Sequence, residues 1–390
     1  MTCFVPDHSD EPIETVPPLP AGRSMPGART LADLTTIGVG GPIKCLVEAG
    51  TENDLIEAVR TADEEGRDLL VLGGGSNVLA RDDPFDGVVV RDIRSDITLV
   101  QEGGCEGANL RVSAGTGWDE LVVHTIKNEW MGLEALSGIP GTVGAAPVQN
   151  IGAYGQEIAS SVARVRTWDR KEGRRREFTM SELGFGYRTS VLKQTFSEGW
   201  GPSPRYIVLS VDLQLRIASL SSPIRFGQLS KLLGVEGGTR VPSAEVRAGV
   251  LELRRSKGMV LDETDRDTYS CGSFFTNPVM TEHQAAALPV DAPRYAVTDE
   301  SRLVLGAAAP TVKGQVKTSA AWLIDHAGFP AGYAMPGPAA LSTKHCLALT
   351  NRGGATGAEL RALARQIRDG VLDRFGVELH PEPTIIGGLE

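Results

Sequence analysis

The 26 residues Gly132–Glu157, GLEALSGIPGTVGAAPVQNIGAYGQE, constrain this chain more than any other stretch. Six glycines and two prolines interrupt the apolar residues before a full helix or strand can form, and only two side chains are charged. Such a segment cannot bury a continuous apolar face. It can bring backbone N–H groups close to something flat or anionic. A shorter run, Leu72-Gly73-Gly74-Gly75-Ser76-Asn77, offers the same chemistry directly after an apolar, strand-like stretch. It has neither the GxGxxG spacing of a dinucleotide fold nor the GK[ST] of a P-loop. Together the two loops point to a phosphate-bearing cofactor gripped mainly by main chain.

The chain has 390 residues, enough for two or three domains. Its 41% hydrophobic and 23% charged residues are ordinary for a soluble globular protein, and no apolar run approaches the roughly 18 residues that span a membrane. The net charge of −10 argues against a nucleic-acid partner, and an anionic small ligand would need a local basic pocket. Cys3, Cys45, Cys105, Cys271 and Cys346 are scattered without a CxxC pair, which suits reduced thiols in the cytoplasm and no metal site. The acidic, Pro-rich start lacks a secretory signal, so residues 1–27 are expected to form a mobile arm.

From about Thr30, short strands and helices follow one another without strict alternation, so the expected class is α+β. Thr51 and Asp54 form a capping-box signature for a helix to Glu65, with Leu55, Ile56, Val59 and Ala62 as its stripe. Strands are expected at Leu69–Leu72, Gly87–Arg91, Ile97–Val100, Leu110–Ala114 and Val162–Trp168, with a helix at Trp118–Asn128. The period-two run Ile207, Leu209, Val211, Leu213, Leu215 predicts one strand face. Residues 216–243 read as a connector. A new unit then opens with a helix near Ala244–Arg254, followed by Ser273–Val279, a helix at Ser319–Ala327 and a strand at Leu347–Asn351. The last helix starts at a Thr356/Glu359 capping box, carries Leu360, Leu363, Ile367, Val371, Leu372 and Phe375, and stops at Gly376. It shows no sustained heptad, so a monomer is expected.

Five motifs in order, LGGGSNVLA, the Gly132–Glu157 segment, FGYRTSVLK, GSFFTNP and HPEPTIIG, resemble those of the UDP-N-acetylenolpyruvoylglucosamine reductases. The resemblance runs from about Leu31 to Gly387. It implies an α+β fold: a bipartite FAD-binding domain of the vanillyl-alcohol-oxidase (PCMH) type at 28–217, then a connector with a substrate-covering loop at 218–243. A C-terminal substrate-binding domain at 244–380 and a tail at 381–390 that returns to the active site would complete it. It further implies non-covalent FAD, NADPH, and reduction of a UDP-linked enolpyruvyl sugar to UDP-N-acetylmuramate for peptidoglycan. Hydride donor and acceptor would alternate in one cleft.

By the same resemblance, Arg188 matches the arginine facing the substrate carboxylate, Ser273 the serine that protonates the α-carbon, and Glu382 the carboxyl group assisting the enol intermediate. Their chemistry suits these roles, since a planar fixed charge binds a carboxylate gaining negative charge and the enol carbon needs a proton source. FAD would contact Leu72, Gly73, Gly74, Gly75, Ser76 and Asn77 in the first loop. In the second it would meet Ser137, Ile139, Pro140, Gly144, Ala145, Gln149, Asn150, Gly152, Ala153 and Tyr154, with Arg254 beside them. Tyr187, Phe226, Lys257 and Asn277 would meet the substrate, Lys257 at its phosphates. Phe226, in Pro223-Ile224-Arg225-Phe226-Gly227, stands where this branch of the family often has a tyrosine; it keeps the ring but loses the hydroxyl.

Two other readings use the same loops. An oxidase of the vanillyl-alcohol type often tethers flavin through His or Cys in the glycine loop, and Gly73–Asn77 contains neither. A flavin- or nucleotide-binding module without catalysis would not need Arg188, Ser273 and Glu382 together.

Overall fold

The computed structural model describes residues 13–23, 27–104, 106–299 and 310–389. Three parallel strands begin the fold, in the order β1 (Ile43–Ala49), β4 (Phe85–Asp92), β2 (Leu69–Val71), and α1 (Glu52–Glu64) crosses over between β1 and β2. The capping box forms as expected: the Thr51 hydroxyl accepts from the Asp54 N–H at 3.1 Å and the Asp54 carboxylate accepts from the Thr51 N–H at 2.9 Å. Leu55, Ile56, Val59 and Ala62 are buried against this sheet. The short strand β3 (Val78–Leu79) follows the first glycine loop directly.

A larger antiparallel sheet follows, ordered β11 (Arg174–Thr179), β10 (Val162–Asp169), β12 (Tyr206–Ile217), β6 (Gly107–Ser113), β5 (Ile97–Gly103). The helix α2 (Trp118–Lys127) packs on it, and β7 (Trp130–Met131) joins the end of β12. Between β7 and β10 lie the short helix α3 (Ala146–Gln149) and the small hairpin β8 (Gly152–Ala153), β9 (Gln156–Glu157). The helix α4 (Val191–Gln194) then precedes β12.

The expected single face on β12 is corrected by the structure. Ile207 and Leu209 pack with α1, whereas Val211, Leu213 and Leu215 pack with α2 in the other core. The cause is a bulge: Arg166 pairs with Ser210, but the next residue, Thr167, pairs with Val208, leaving Leu209 extra. One inserted residue flips every following side chain to the opposite face.

The connector is also more ordered than expected. It contains α5 (Gly227–Leu232), which packs on α6 (Ser243–Ser256) through Leu229, Val246 and Val250. In the C-terminal unit, β15 (Thr311–Thr318) lies between β13 (Val279–Thr281) and β14 (Arg294–Thr298), with α7 (Glu282–Ala286) between β13 and β14 in sequence. The helix α8 (Ala320–His326) leads to the hairpin β16 (Ala339–Leu341), β17 (Leu349–Asn351) and then α9 (Gly357–Phe375). Gly376 caps α9 at φ +65°, where a side chain would be strained.

After α9 the chain returns to the first unit. The strand β18 (Thr384–Ile385) pairs in parallel with β3, and Ile386 joins the core under the parallel sheet. Conversely, Ile37, Val39 and Leu79 are buried in the C-terminal core. Linear domain boundaries therefore do not separate the cores.

Residues 1–12 and 24–26 of the expected mobile arm, and Cys3 and Cys105, lie outside the described residues. Residues 13–23 are not a free arm. Arg247 on α6 donates from Nε to the Val16 carbonyl at 2.9 Å and from Nη2 to the Pro17 carbonyl at 2.8 Å. The Leu19 N–H reaches Asp119 Oδ2 at 2.7 Å. Arg23 donates to the Thr36 carbonyl at 3.2 Å and stacks 3.4 Å above the Tyr269 ring. The physical reason is polar satisfaction. Arg247 and Asp119 form a fully buried ion pair at 2.8 Å, and the extended Pro-rich segment supplies carbonyls for the remaining guanidinium donors.

Candidate active site

A cavity of about 740 Å³ opens between the two sheets and the C-terminal unit, lined by both glycine loops. No main-chain N–H from Gly73 through Asn77 donates to a protein acceptor among the described residues. Five adjacent main-chain donors left open beside a cavity are suited to an anion. Gly75 sits at φ +63°, and a Cβ there would fall 1.9 Å from the Leu34 carbonyl oxygen, so only glycine permits this turn. The second loop is pinned from behind. Asp119 Oδ1 accepts the Gly138 N–H at 2.6 Å, the Trp118 N–H reaches the Gly141 carbonyl at 3.0 Å, and the Gly141 N–H reaches the Ala21 carbonyl at 2.6 Å. The Ser76 hydroxyl ties the loops together by donating to the Pro140 carbonyl at 3.0 Å.

Leu72, Gly73, Gly74, Gly75, Ser76, Asn77, Ile139, Pro140, Gly144, Ala145, Gln149, Gly152, Ala153 and Arg254 all line the cavity, as do Arg188, Ser273 and Glu382. Ser137, Asn150 and Tyr154 do not. Ser137 is buried and donates to the Glu134 carbonyl at 2.7 Å. Asn150 ends α3 at φ +47°, and its amide donates to Glu157 Oε2 at 2.9 Å and the Gly186 carbonyl at 3.0 Å. Tyr154 packs edge-on against Phe226, ring centroids 5.3 Å apart. Arg254 donates to the Gly138 and Met259 carbonyls, and burial pushes its pKa down against the opposing influence of Tyr154 and Asp119.

Arg188, Ser273 and Glu382 reach the cavity from three segments. Arg188 has φ +55°, in the left-handed region that non-glycine residues rarely adopt, and donates to the Asn150 carbonyl at 3.2 Å and the Gly152 carbonyl at 2.6 Å. Its Nε lies 3.3 Å from Glu382 Oε1. Glu382 is held by its own N–H, which reaches the Phe274 carbonyl at 2.8 Å one residue beyond Ser273, and by its carbonyl, which accepts from the Asn77 amide at 3.4 Å. Gln149 donates to Glu382 Oε1 at 2.9 Å, and Lys193 donates to Gln149 Oε1 at 2.9 Å. Lys193 went unassigned in the sequence although it closes the FGYRTSVLK motif. Burial pushes its pKa down, while nearby Glu382 works the other way and Arg188 adds to the fall.

The substrate candidates split. The Tyr187 hydroxyl accepts from the Asn277 N–H at 3.3 Å, bridging the larger sheet's unit to the C-terminal one. The Asn277 side-chain oxygen is spent on the N–H of Ala320 at the start of α8, 3.0 Å away. Lys257 reaches Gln228 of α5 at 3.0 Å, and its charge, after burial, helps hold His345 at a pKa of about 4. Cys271 lines the cavity, but its thiol donates to the Val78 carbonyl and burial pushes its pKa up to about 12, so no nucleophile for tethering flavin is offered there.

Open donors in the glycine loops, a cavity of cofactor size and a guanidinium–carboxylate pair on its wall define a flavin-binding oxidoreductase, and residues 43–179 match the FAD binding domain family. Residues 263–386 match the C-terminal domain of UDP-N-acetylenolpyruvoylglucosamine reductase. The UDP-N-acetylenolpyruvoylglucosamine reductase of Cutibacterium acnes is 48% identical, covering 97% of this chain and 93% of that protein. Its counterpart from Thermobifida fusca is 47% identical over 92% of this chain and 96% of its own. The crystal structure of the Thermus caldophilus enzyme superposes with a TM-score of 0.59 at 25% identity, covering 92% of this chain and 97% of that one. The chain belongs to the UDP-N-acetylenolpyruvoylglucosamine reductase family. The residues present fit FAD: the Gly73–Asn77 turn has uncommitted main-chain N–H donors on the cavity wall for a pyrophosphate.

Proposed function

We propose that this protein reduces UDP-N-acetyl-3-O-(1-carboxyvinyl)-glucosamine to UDP-N-acetylmuramate at the expense of NADPH, a step in peptidoglycan precursor synthesis. The observation that carries this reading is the meeting of Arg188 and Glu382, 3.3 Å apart, on a cavity wall shared with Ser273 and both glycine loops. When bound, FAD supplies a two-electron carrier between NADPH and the enolpyruvyl double bond.

The protein's own groups then have separable roles. As electrons enter the β-carbon, negative charge gathers on the substrate carboxylate. Arg188 uses two of its five N–H donors on backbone carbonyls, so donors remain for Glu382 and for that carboxylate. The fixed guanidinium stabilises charge that is larger in the transition state than in the ground state. The Ser273 hydroxyl supplies the proton to the α-carbon, and Glu382 assists the enol. In this reading Tyr187, Phe226, Lys257 and Asn277, none of which lines the cavity itself, would meet the UDP-linked sugar. A monomer in the cytoplasm fits a final helix without a sustained heptad and the scattered thiols. Among the described residues no helix is long and apolar enough to cross a membrane.

The test is an absorbance titration. Purified protein with FAD should lose its visible flavin band with NADPH and regain it on adding the enolpyruvyl nucleotide. A protein that stays colourless with FAD, or stays bleached with the nucleotide, overturns the reading.

A further inference from the structure

Lys193 on α4 places a partly buried ammonium group on the cavity wall, and among the described residues no carboxylate lies within ion-pairing distance of it. Its Nζ donates to Gln149 Oε1 at 2.9 Å and to the Arg188 carbonyl at 3.3 Å. Gln149 Nε2 in turn donates to Glu382 Oε1 at 2.9 Å. An amide has one accepting end and one donating end. Turned around, Gln149 would set its NH₂ against an ammonium and its oxygen against a carboxylate, both repulsive. Lys193 thereby selects the orientation in which the amide reaches Glu382. The consequence at Glu382 is asymmetric. Arg188 Nε and Gln149 Nε2 both approach Oε1, and no described residue donates to Oε2.

We propose that Lys193 is a positioning residue for Glu382, acting through the Gln149 amide so that Oε1 is held and Oε2 is the oxygen that serves the substrate. This rests on the reading of Glu382 as the carboxyl group of the reaction. The charged and titratable groups facing Glu382 are Arg188, Lys193 and Tyr187, with Lys317 on Tyr187, 4.5 Å from its ring.

The experiment uses FAD-loaded full-length protein and the variants Lys193→Met, Gln149→Met and their combination. The rate at which the enolpyruvyl nucleotide reoxidises NADPH-reduced flavin is followed in single turnovers. The affinity of the nucleotide for the oxidised protein is measured by calorimetry. Each single variant should slow reoxidation by about tenfold to thirtyfold, the scale of a misplaced catalytic group. The double variant should be no slower than the slower single one, because both act on one path. Nucleotide affinity should stay within about threefold, so that the rate falls without the binding. Multiplying losses in the double variant, or an unmoved rate in Lys193→Met, would overturn the proposal. So would affinity falling in step with rate, which would make Lys193 a direct ligand of the carboxylate, or loss of FAD, which would make it structural. Wild-type protein that fails to reoxidise sinks the assigned reaction instead, which keeps the two failures apart.

Discussion

The Asn77 side-chain amide donates to the main-chain carbonyl of Glu382 across 3.4 Å, and the Asn77 carbonyl accepts the Thr384 N–H at 2.9 Å. The last residue of the first glycine loop thus holds Glu382 by its backbone, 305 residues away in sequence. Asn77→Ala should weaken FAD binding and slow turnover together, each by about threefold to tenfold, the worth of one net hydrogen bond. Flavin fluorescence titration and steady-state NADPH oxidation measure the two. If only one changes, the loop and the carboxylate are not mechanically joined.

Ser273→Ala tests the proton donor separately from the cofactor. Bleaching by NADPH should proceed at the wild-type rate. Recovery with the enolpyruvyl nucleotide should slow by about 10²–10⁴, the usual worth of a positioned acid. Full turnover in this variant would remove Ser273 from the mechanism.

Arg247→Ala leaves Asp119 buried without its cation and strands the Val16 and Pro17 carbonyls. Breaking a buried pair from one side costs about 3–5 kcal/mol. Urea unfolding should show a loss of this size, with proteolysis beginning in residues 13–23. Arg247→Met combined with Asp119→Leu should recover part of it.

His345 gives a pH prediction whose sign follows from burial. Its pKa falls from 6.5 to about 4 in the folded protein, first through desolvation and second through Lys257. The unfolded chain takes up a proton below pH 6.5 that the folded protein refuses until about pH 4. This contribution to stability is therefore whole above 6.5 and is lost as pH falls, the loss reaching about 3 kcal/mol near pH 4. His345→Gln should flatten that part of the stability curve. Equal slopes for the two proteins would show His345 titrating normally.

The sequence made local features legible where one short segment decides them. The Thr51/Asp54 box, the Thr356/Glu359 box and the Gly376 stop all form as read. So does the nearness of Arg188 to Glu382, which came through a family likeness and not through spacing. What stayed hidden depends on partners distant in sequence. The bulge at Leu209 arises from pairing with β10, so a clean period of two concealed two cores. Residues 13–23 read as an arm because Pro-rich composition shows no apolar face, yet their order comes from carbonyls meeting Arg247. Lys193 carries no signal of its own until Gln149 and Glu382 are beside it.

The parallel pairing of β18 with β3 also bears on synthesis. A ribosome releases the Gly73–Asn77 turn some 305 residues before Glu382, whose segment walls it. Until β18 has been made that side of the cleft is missing, so a polypeptide cut before residue 381 would lack both the strand and the Glu382 carboxylate.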